Sequence, residues 1–455
     1  MAKASSVASF DLGLSGLDAA SCFERLLPEG GSGYLIEKTE GGRRRSWVGV
    51  EPFETVRVAR GRAVSVTAAG RRTLAGNPFD ALGARLGAFR ARGGEPFDGG
   101  AVGLLGYEMV RHLERVPMRS EPEEGFLSFY RETLVLEGGR ASLRALVASA
   151  ADRRRAAFRA EVLALALKGA GSVRVPAPRG LLAVKPRRGR AAFLRAVRRL
   201  KERIFAGDIF QAVVSESFTA RLPLSPFDAY RAVRAANATP YGFLLVDGAV
   251  ARLGASPERL VRVVGGRARN CPIAGTRPRG ATPAKDRALE RELRASGKEK
   301  AEHLMLVDLA RNDLGRVCAP GSVAVERFML TRRFSRVMHL VSEVEGRLDA
   351  GKTAWDALAA SFPAGTVSGA PKVRAMELIA AEERAARGFY AGAVVQHDFG
   401  GNLDSCLAIR SLELARGVAR LQAGAGIVAD SDPAAEWDEV NHKLAGLRRA
   451  LGGRK

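Results

Sequence analysis

The 455-residue chain is 46% hydrophobic and 27% charged, the balance of a globular protein with a sizeable core rather than of a disordered or fibrous one. No apolar run approaches the roughly 18 residues of a membrane span, and Met1 to Gly16 lacks the basic start and apolar stretch of a secretory signal, so the expected location is the cytoplasm, away from membranes. The formal charge of +23 is dispersed in small groups such as Arg43-Arg44-Arg45 and Arg153-Arg154-Arg155, with no stacking strip or nucleic-acid motif; it suits attraction of a small dianion and not nucleic acid. Cys22, Cys271, Cys318 and Cys406 are scattered without C-x-x-C spacing, which argues against a disulfide framework or a zinc site.

Residues 34 to 136 read as strand-rich, with runs such as Trp47-Val48-Gly49-Val50 and Val56-Arg57-Val58. Residues 141 to 168 read as helical. Gly169 to Gly189 is rich in Gly, Pro and Arg and reads as a linker. The expected division is therefore an N-terminal region over 1–170, a linker over 171–190 and a catalytic domain over 191–452. Phe193, Val197, Leu200 and Ile204 recur at helical spacing, and Gly207 closes that helix. A strand over Ile209 to Phe218 follows, and Ser225-Pro226 opens another helix with serine as cap and proline in the first turn. Elements of both kinds continue to the end, so the expected class is mixed α and β.

Ser361 to Arg374, S-F-P-A-G-T-V-S-G-A-P-K-V-R, is dominated by small residues, and such a loop lets backbone N–H groups approach an anion closely. Thr366 and Ser368 add hydroxyls and Lys372 a positive charge. Two glutamate pairs accompany it. Glu299 and Glu302 stand three apart in G-K-E-K-A-E-H-L-M-L-V-D, and Glu436 and Glu439 stand three apart after the helix start Asp432-Pro433. Residues three apart share a helix face. Two such faces brought together would offer carboxylate oxygens to magnesium, with water and an anionic substrate completing the shell; each pair alone reads better as a solvated face. Gly424-Ala425-Gly426 could grip a carboxylate through its amides, and Arg410 could pair with one in bidentate fashion. His339, in the alternating strand V-M-H-L-V-S-E-V, reads as a core histidine or a general acid.

Gly346 to Thr353 matches the phosphate-binding pattern G-x-x-x-x-G-K-T, with a hydrophobic run ending in aspartate, Leu304 to Asp308, upstream. That aspartate precedes the loop instead of following it, and Arg347, Leu348 and Asp349 stand where small residues are favoured. A nucleotide hydrolase is thus a distant alternative.

Taken in order, further segments carry a resemblance. They are G-A-V-G-L-L-G-Y-E-M-V-R (100–111), G-D-I-F-Q-A-V-V-S (207–215), G-A-S-P-E-R-L (254–260) and P-I-A-G-T-R-P-R-G (272–280). A-E-H-L-M-L-V-D-L-A-R-N-D-L-G-R-V (301–317), R-V-M-H-L-V-S-E-V-E-G (336–346), the loop 361–374, G-N-L-D-S-C-L-A-I-R (401–410) and A-G-A-G-I-V-A-D-S (423–431) complete the series. With these the chain resembles the chorismate-utilising enzymes, and within them the anthranilate synthase component I branch, over residues 34 to 450. The resemblance implies a large β-sandwich core flanked by helices. It implies amination of chorismate at C2 by ammonia, with loss of the C4 hydroxyl and then of pyruvate.

By the same resemblance Glu302 and Glu439 are the principal magnesium ligands, with Glu299 and Glu436 beside them. Glu299 also moves protons at C2, His339 assists the elimination, and Thr366 orients the departing group. Gly275, Thr276, Tyr390, Arg410, Gly424, Ala425, Gly426 and Lys443 fall on substrate-contacting positions. Ala274 is the discriminator: related aminodeoxychorismate synthases commonly carry a lysine nucleophile there, and alanine leaves C2 open to ammonia. The resemblance also implies a degenerate tryptophan feedback site, since Lys38 replaces a serine and Gly242 a methionine beside Pro240 and Tyr241. Finally, no cysteine has the G-x-C-x-G setting of a glutamine-hydrolysing nucleophile, so the expected ammonia source is a glutamine amidotransferase subunit, component II, or solution.

Overall fold

Side-chain period decides the architecture element by element. Arg140–Val147 alternates exposed and buried positions along its length and forms a strand. The helix expected over 141–168 therefore begins only at Ala150, where the Ser149 hydroxyl accepts the Asp152 N–H, and it runs Ala150–Ala166. Helix Arg190–Phe205 buries Phe193, Val197 and Leu200 on one side, and Gly207 follows it at φ +82°. Ser225 caps helix Pro226–Ala236, with proline in its first turn. The computed structural model describes all residues except 1–4, 93–94, 120, 174, 176–179, 238, 335–336 and 453–455.

Two large, almost wholly antiparallel sheets form the centre, 13- and 12-stranded among the described residues. In the first, Gln211–Arg221, Val418–Ile427, Ser411–Ala415, Val250–Ser256, Tyr241–Asp247, Ser32–Glu40 and Arg43–Val50 lie side by side. In the second, the order is Ile273–Pro278, Val337–Arg347, Arg267–Asn270, Arg259–Val264, Leu403–Leu407, Ala393–Asp398, Gly100–Leu105 and Gly125–Tyr130. Tyr34, Trp47, Phe126, Tyr130, Phe243 and Val394 pack between them. Helices cover both outer faces. Phe193, Ala229 and Val440 seat three of them on the first sheet, and Phe79, Val307 and Leu358 seat three on the second. The expected β-sandwich flanked by helices is what forms.

The segments on either side of 171–190 share both sheets. Ser32–Glu40 pairs with Tyr241–Asp247, and Gly100–Leu105 pairs with Ala393–Asp398. Within 171–190, residues 174 and 176–179 lie outside the described ones, while Lys185–Pro186 pairs with Phe218 and Thr219. The nucleotide-loop pattern has no such loop behind it. Gly346 lies inside strand Val337–Arg347, Thr353 spends its hydroxyl capping helix Ala354–Ser361 against Asp356, and Leu304 to Asp308 is helical. Among the described residues no helix is long and apolar enough to cross a membrane.

Candidate active site

Two helices and three strands converge on one cleft. Helix Gly297–Gly315, capped by Ser296 on the Glu299 N–H, packs against strands Ile273–Pro278 and Val337–Arg347. Helix Pro433–Leu451, capped by Asp432, packs along strand Val418–Ile427. Each helix presents its glutamate pair in its first two turns. The pairs face one another: Glu302 feels the charges of Glu299 and Glu439, and Glu436 feels that of Glu439. Burial first, and carboxylate repulsion second, raise the Glu302 pKa; burial, with repulsion from Glu439, also raises that of Glu436. Arg277 holds Glu299 at 3.0 Å and Lys443 holds Glu439 at 2.7 Å, whereas Glu302 has no ion pair among the described residues. Glu302 and Glu436 thus keep carboxylate oxygens with no ion pair among the described residues. No three of them close into a cage among the described residues; a hard ion held by one or two of them would draw the rest of its shell from waters and substrate oxygens.

Opposite the glutamates is an open sheet edge. Ser411–Ala415 pairs with Val418 through Leu421 and stops, because Arg410 turns the chain away at φ +52°. Strand Val418–Ile427 continues to Ile427 with only Gln211–Arg221 beside it. Residues two apart on a strand direct their N–H and C=O groups to the same side, so Gly424 and Gly426 share the free edge. The Gly424 carbonyl accepts from Lys443 Nζ at 2.8 Å and its N–H reaches the Tyr390 hydroxyl. Glycine is needed at 424, where a Cβ would stand 2.9 Å from the Val214 carbonyl and 3.1 Å from the Tyr390 hydroxyl, while one at 426 would meet the end of the Gln211 side chain at 2.8 Å. Ala425 points its polar groups the other way, toward the neighbouring strand, and is fully buried. The Arg410 guanidinium donates to the Lys443 carbonyl, and burial lowers its pKa against the opposing charges of Tyr390 and Glu439. Burial pushes Tyr390 up to about 12, so it stays a neutral phenol.

On the third wall, His339 Nδ1 lies 2.9 Å from the Gly275 carbonyl and 3.1 Å from the Thr276 hydroxyl. A carbonyl only accepts, so Nδ1 carries the proton and Nε2 keeps its lone pair. Burial, assisted by the positive charge of Arg410, lowers the His339 pKa and keeps the ring neutral. A neutral ring held in this way offers Nε2 as an acceptor. Gly275, at φ +65°, has no room for a side chain, since a Cβ would sit 2.9 Å from Leu293 and 3.0 Å from Glu299. Ala274 is buried beside it.

One further carboxyl borders these walls. Glu258, in G-A-S-P-E-R-L, accepts the Thr366 hydroxyl at 2.7 Å. Desolvation pushes it up to about 7, against the lowering effects of Thr366 and Lys443. The loop 361–374 thus delivers Thr366 to a carboxyl that holds its proton near neutrality. The available signal was a lone acidic residue after proline inside an apolar stretch. A second omission is Gln211, buried against Gly426, whose Oε1 has no hydrogen-bond partner among the described residues.

Lys38, Pro240, Tyr241 and Gly242 lie elsewhere, between the sheets. Lys38 Nζ donates to Asp404 at 2.8 Å, the Tyr241 hydroxyl donates to the other Asp404 oxygen at 3.0 Å, and Arg259 donates to that hydroxyl at 2.8 Å. The cavity left beside them is about 20 Å³, room for a water and not for an amino acid. The Tyr230 hydroxyl fills the space over Gly242, 2.5 Å from where a Cβ would stand. The Pro240 carbonyl accepts the Thr39 N–H.

Comparison with known proteins gives this geometry a lineage. Residues 33–449 match the family described as chorismate binding enzyme. The chain belongs to the chorismate-binding enzymes. It is 41% identical over 443 residues to anthranilate synthase component 1 of Acetivibrio thermocellus, covering 92% of this chain and 90% of that one. It is 42% identical over 457 residues to the Streptomyces coelicolor protein of the same name, covering 94% and 86%. Among solved structures, anthranilate synthase component I from Streptococcus pneumoniae superposes with a TM-score of 0.77 at 32% identity, over 90% of this chain and 93% of that one. The menaquinone-specific isochorismate synthase of Escherichia coli shares the fold, with a TM-score of 0.76 at 22% identity, over 99% and 95%. The glutamates, the glycine edge and His339 all fall inside the matched span of this chorismate-binding enzyme.

Proposed function

We propose that the chain is the aminating component of an anthranilate synthase, acting in the cytoplasm on chorismate and ammonia to give anthranilate, pyruvate and water. The observation that carries this reading is one cleft with three complementary parts. It holds a carboxyl that is protonated near neutrality, a neutral imidazole with a free lone pair, and a cation-lined strand edge suited to a dianion. The extensive likeness to proteins named anthranilate synthase component 1 supports the same reading.

The residues divide the work. Lys443, Arg410 and the Gly424 and Gly426 edge bind and orient the substrate carboxylates, with Tyr390 as the neutral wall behind them. Glu258, aligned by Thr366, gives its proton to the C4 hydroxyl, which leaves as water. Ammonia adds at C2; Gln211 Oε1, an acceptor without a partner among the described residues, would accept one of its N–H groups, and Ala274 leaves the approach clear. His339 Nε2 accepts the proton released when pyruvate is eliminated, with Glu299 beside C2. Glu302 and Glu439, flanked by Glu299 and Glu436, would hold magnesium, which when bound supplies Lewis-acid polarisation of the substrate. The ammonia comes from a glutamine amidotransferase subunit. The cysteines here are free, and burial raises the pKa of Cys271 and Cys318 and pushes that of Cys22 up to about 12, the opposite of an activated thiol.

Product analysis tests the proposal. The purified chain, mixed with chorismate, magnesium and an ammonium salt, is expected to form anthranilate, identified by fluorescence and mass. A 4-amino product, turned into 4-aminobenzoate by an added lyase, would place the chain with the aminodeoxychorismate synthases and show that Ala274 does not set the regiochemistry. Untouched chorismate would overturn the reading altogether.

A further inference from the structure

Strand Ile273–Pro278 carries a bulge. Ala274 pairs with Leu340 and Arg277 with Met338, so three steps along this strand match two along Val337–Arg347. Gly275, at φ +65°, takes up the extra residue. Residues three apart on a regular strand point to opposite faces. Here Ala274 and Arg277 both stand opposite residues of one face, because Met338 and Leu340 pack together against Leu293. Helix Gly297–Gly315 covers that same face: its His303 reaches Ser342, two residues beyond Leu340, at 2.6 Å. The bulge therefore turns Arg277 toward the helix that carries Glu299 and Glu302.

The guanidinium meets Glu299 there. Its Nη1 donates to Glu299 Oε1 at 3.0 Å and to the Thr276 carbonyl at 2.9 Å, and its Nε donates to Glu292 at 2.8 Å. Glu299 Oε2 rests over Gly275, 3.0 Å from where a Cβ would stand. One oxygen is thus held by an ion pair and the other fills the room that a side chain would take. Together they lay the carboxylate on the strand, beside Ala274. Glu302, one helical turn on, has no ion pair among the described residues. Two glutamates of one helix face are made unequal by a single arginine.

We infer that Arg277 is a positioning residue that divides this pair. It keeps Glu299 on the substrate wall over Gly275 and out of the shell of the ion, leaving Glu302 and Glu439 to the ion. The inference rests on the amination reading above, in which Glu299 stands beside C2.

The experiment titrates manganese(II), a hard ion followed by electron paramagnetic resonance, into the chain without chorismate. Arg277→Gln is expected to bind it about tenfold more tightly than wild type, because a cation is removed and a carboxylate is freed. At saturating chorismate, magnesium and ammonium the same variant should lose about tenfold to a hundredfold in kcat, as Glu299 leaves its place. Arg277→Lys, which keeps a cation beside Glu299, should keep the wild-type manganese affinity. Adding Glu299→Gln to Arg277→Gln should return manganese binding to the wild-type value. Unchanged or weaker manganese binding by Arg277→Gln overturns the inference. Tighter binding that survives Glu299→Gln also overturns it, since the gain would then be a diffuse effect of charge. A wild-type chain that forms no anthranilate defeats the amination reading itself, and the manganese titrations then decide the role of Arg277 alone.

Discussion

Two clusters of buried charge in this molecule obey opposite rules. Between the sheets, Lys38, Asp404, Tyr241 and Arg259 form a closed set in which each group is answered by a neighbour. In the cleft, Glu302 faces other carboxylates, Glu258 is stranded with a single hydroxyl, and His339 keeps a bare nitrogen. The closed set stabilises one arrangement of the sheets. The open set is costly in the free protein and becomes favourable when something binds. Unsatisfied charge, and not charge itself, marks where this molecule works.

The sharpest way to break that contrast is to remove a carboxylate from the crowded set, Glu302, which has no ion pair among the described residues, or Glu439, which has Lys443. Glu302→Gln and Glu439→Gln are expected to lower anthranilate formation on the order of a hundredfold to a thousandfold, because Lewis-acid help amounts to several kcal/mol. Circular dichroism should show an intact fold. Activity within about twofold of wild type at limiting magnesium would end the assignment of these residues.

Glu258→Gln comes next, with an expected fall in chorismate consumption of about 100-fold to 10,000-fold. Its pH dependence has a definite sign. The pKa of Glu258 is raised to about 7 in the folded chain, so the acid is present below that pH and is lost above it. The wild-type rate should decline as pH rises through about 7. In stability the same shift works against the fold: ionisation is harder folded than unfolded, so stability is lost as pH climbs from the ordinary carboxylate range through about 7. The glutamine variant should therefore gain Tm over wild type at pH 8 and not at pH 5. A variant equally active, or a Tm difference that ignores pH, would contradict the role. Ala274→Lys is a smaller change, expected to reduce anthranilate about tenfold or more by placing an amine at the approach to C2; product ratios by mass spectrometry would check it.

Much of this was legible before any coordinates. Glu299 with Glu302 and Glu436 with Glu439 are legible as same-face pairs because i, i+3 spacing and the helix start at Asp432-Pro433 are local signals, while the Ser296 cap is seen only in the structure. The edge at Gly424 was harder, since it exists only because Arg410 ends a neighbouring strand. The helix expected over 141–168 gives way to strand Arg140–Val147 at its start: the alanine and leucine there suit helices, and the alternation that makes a strand is imposed by the sheet that receives it. Glu258 could be seen as a residue but not as an acid, for its pKa depends on the walls around it.

The closed cluster gives the smallest effect on rate and tests the other half of the contrast. Lys38→Ser removes the nearest cation from Asp404, which keeps the Tyr241 hydroxyl at 3.0 Å and gains little from Arg259 at 3.7 Å and Arg262 at 3.8 Å. The expected cost is about 2 kcal/mol of stability, between that of a lost charged hydrogen bond and that of an abandoned buried charge, read from the urea midpoint. Anthranilate formation should change by less than about twofold, since no cleft residue loses a partner. The wild-type chain should resist tryptophan, because Lys38 already supplies the ammonium that Asp404 holds and Tyr230 occupies the space over Gly242. Inhibition at low micromolar tryptophan would show that the closed cluster opens to ligand after all, and that a satisfied charge in this fold is no guide to an idle one.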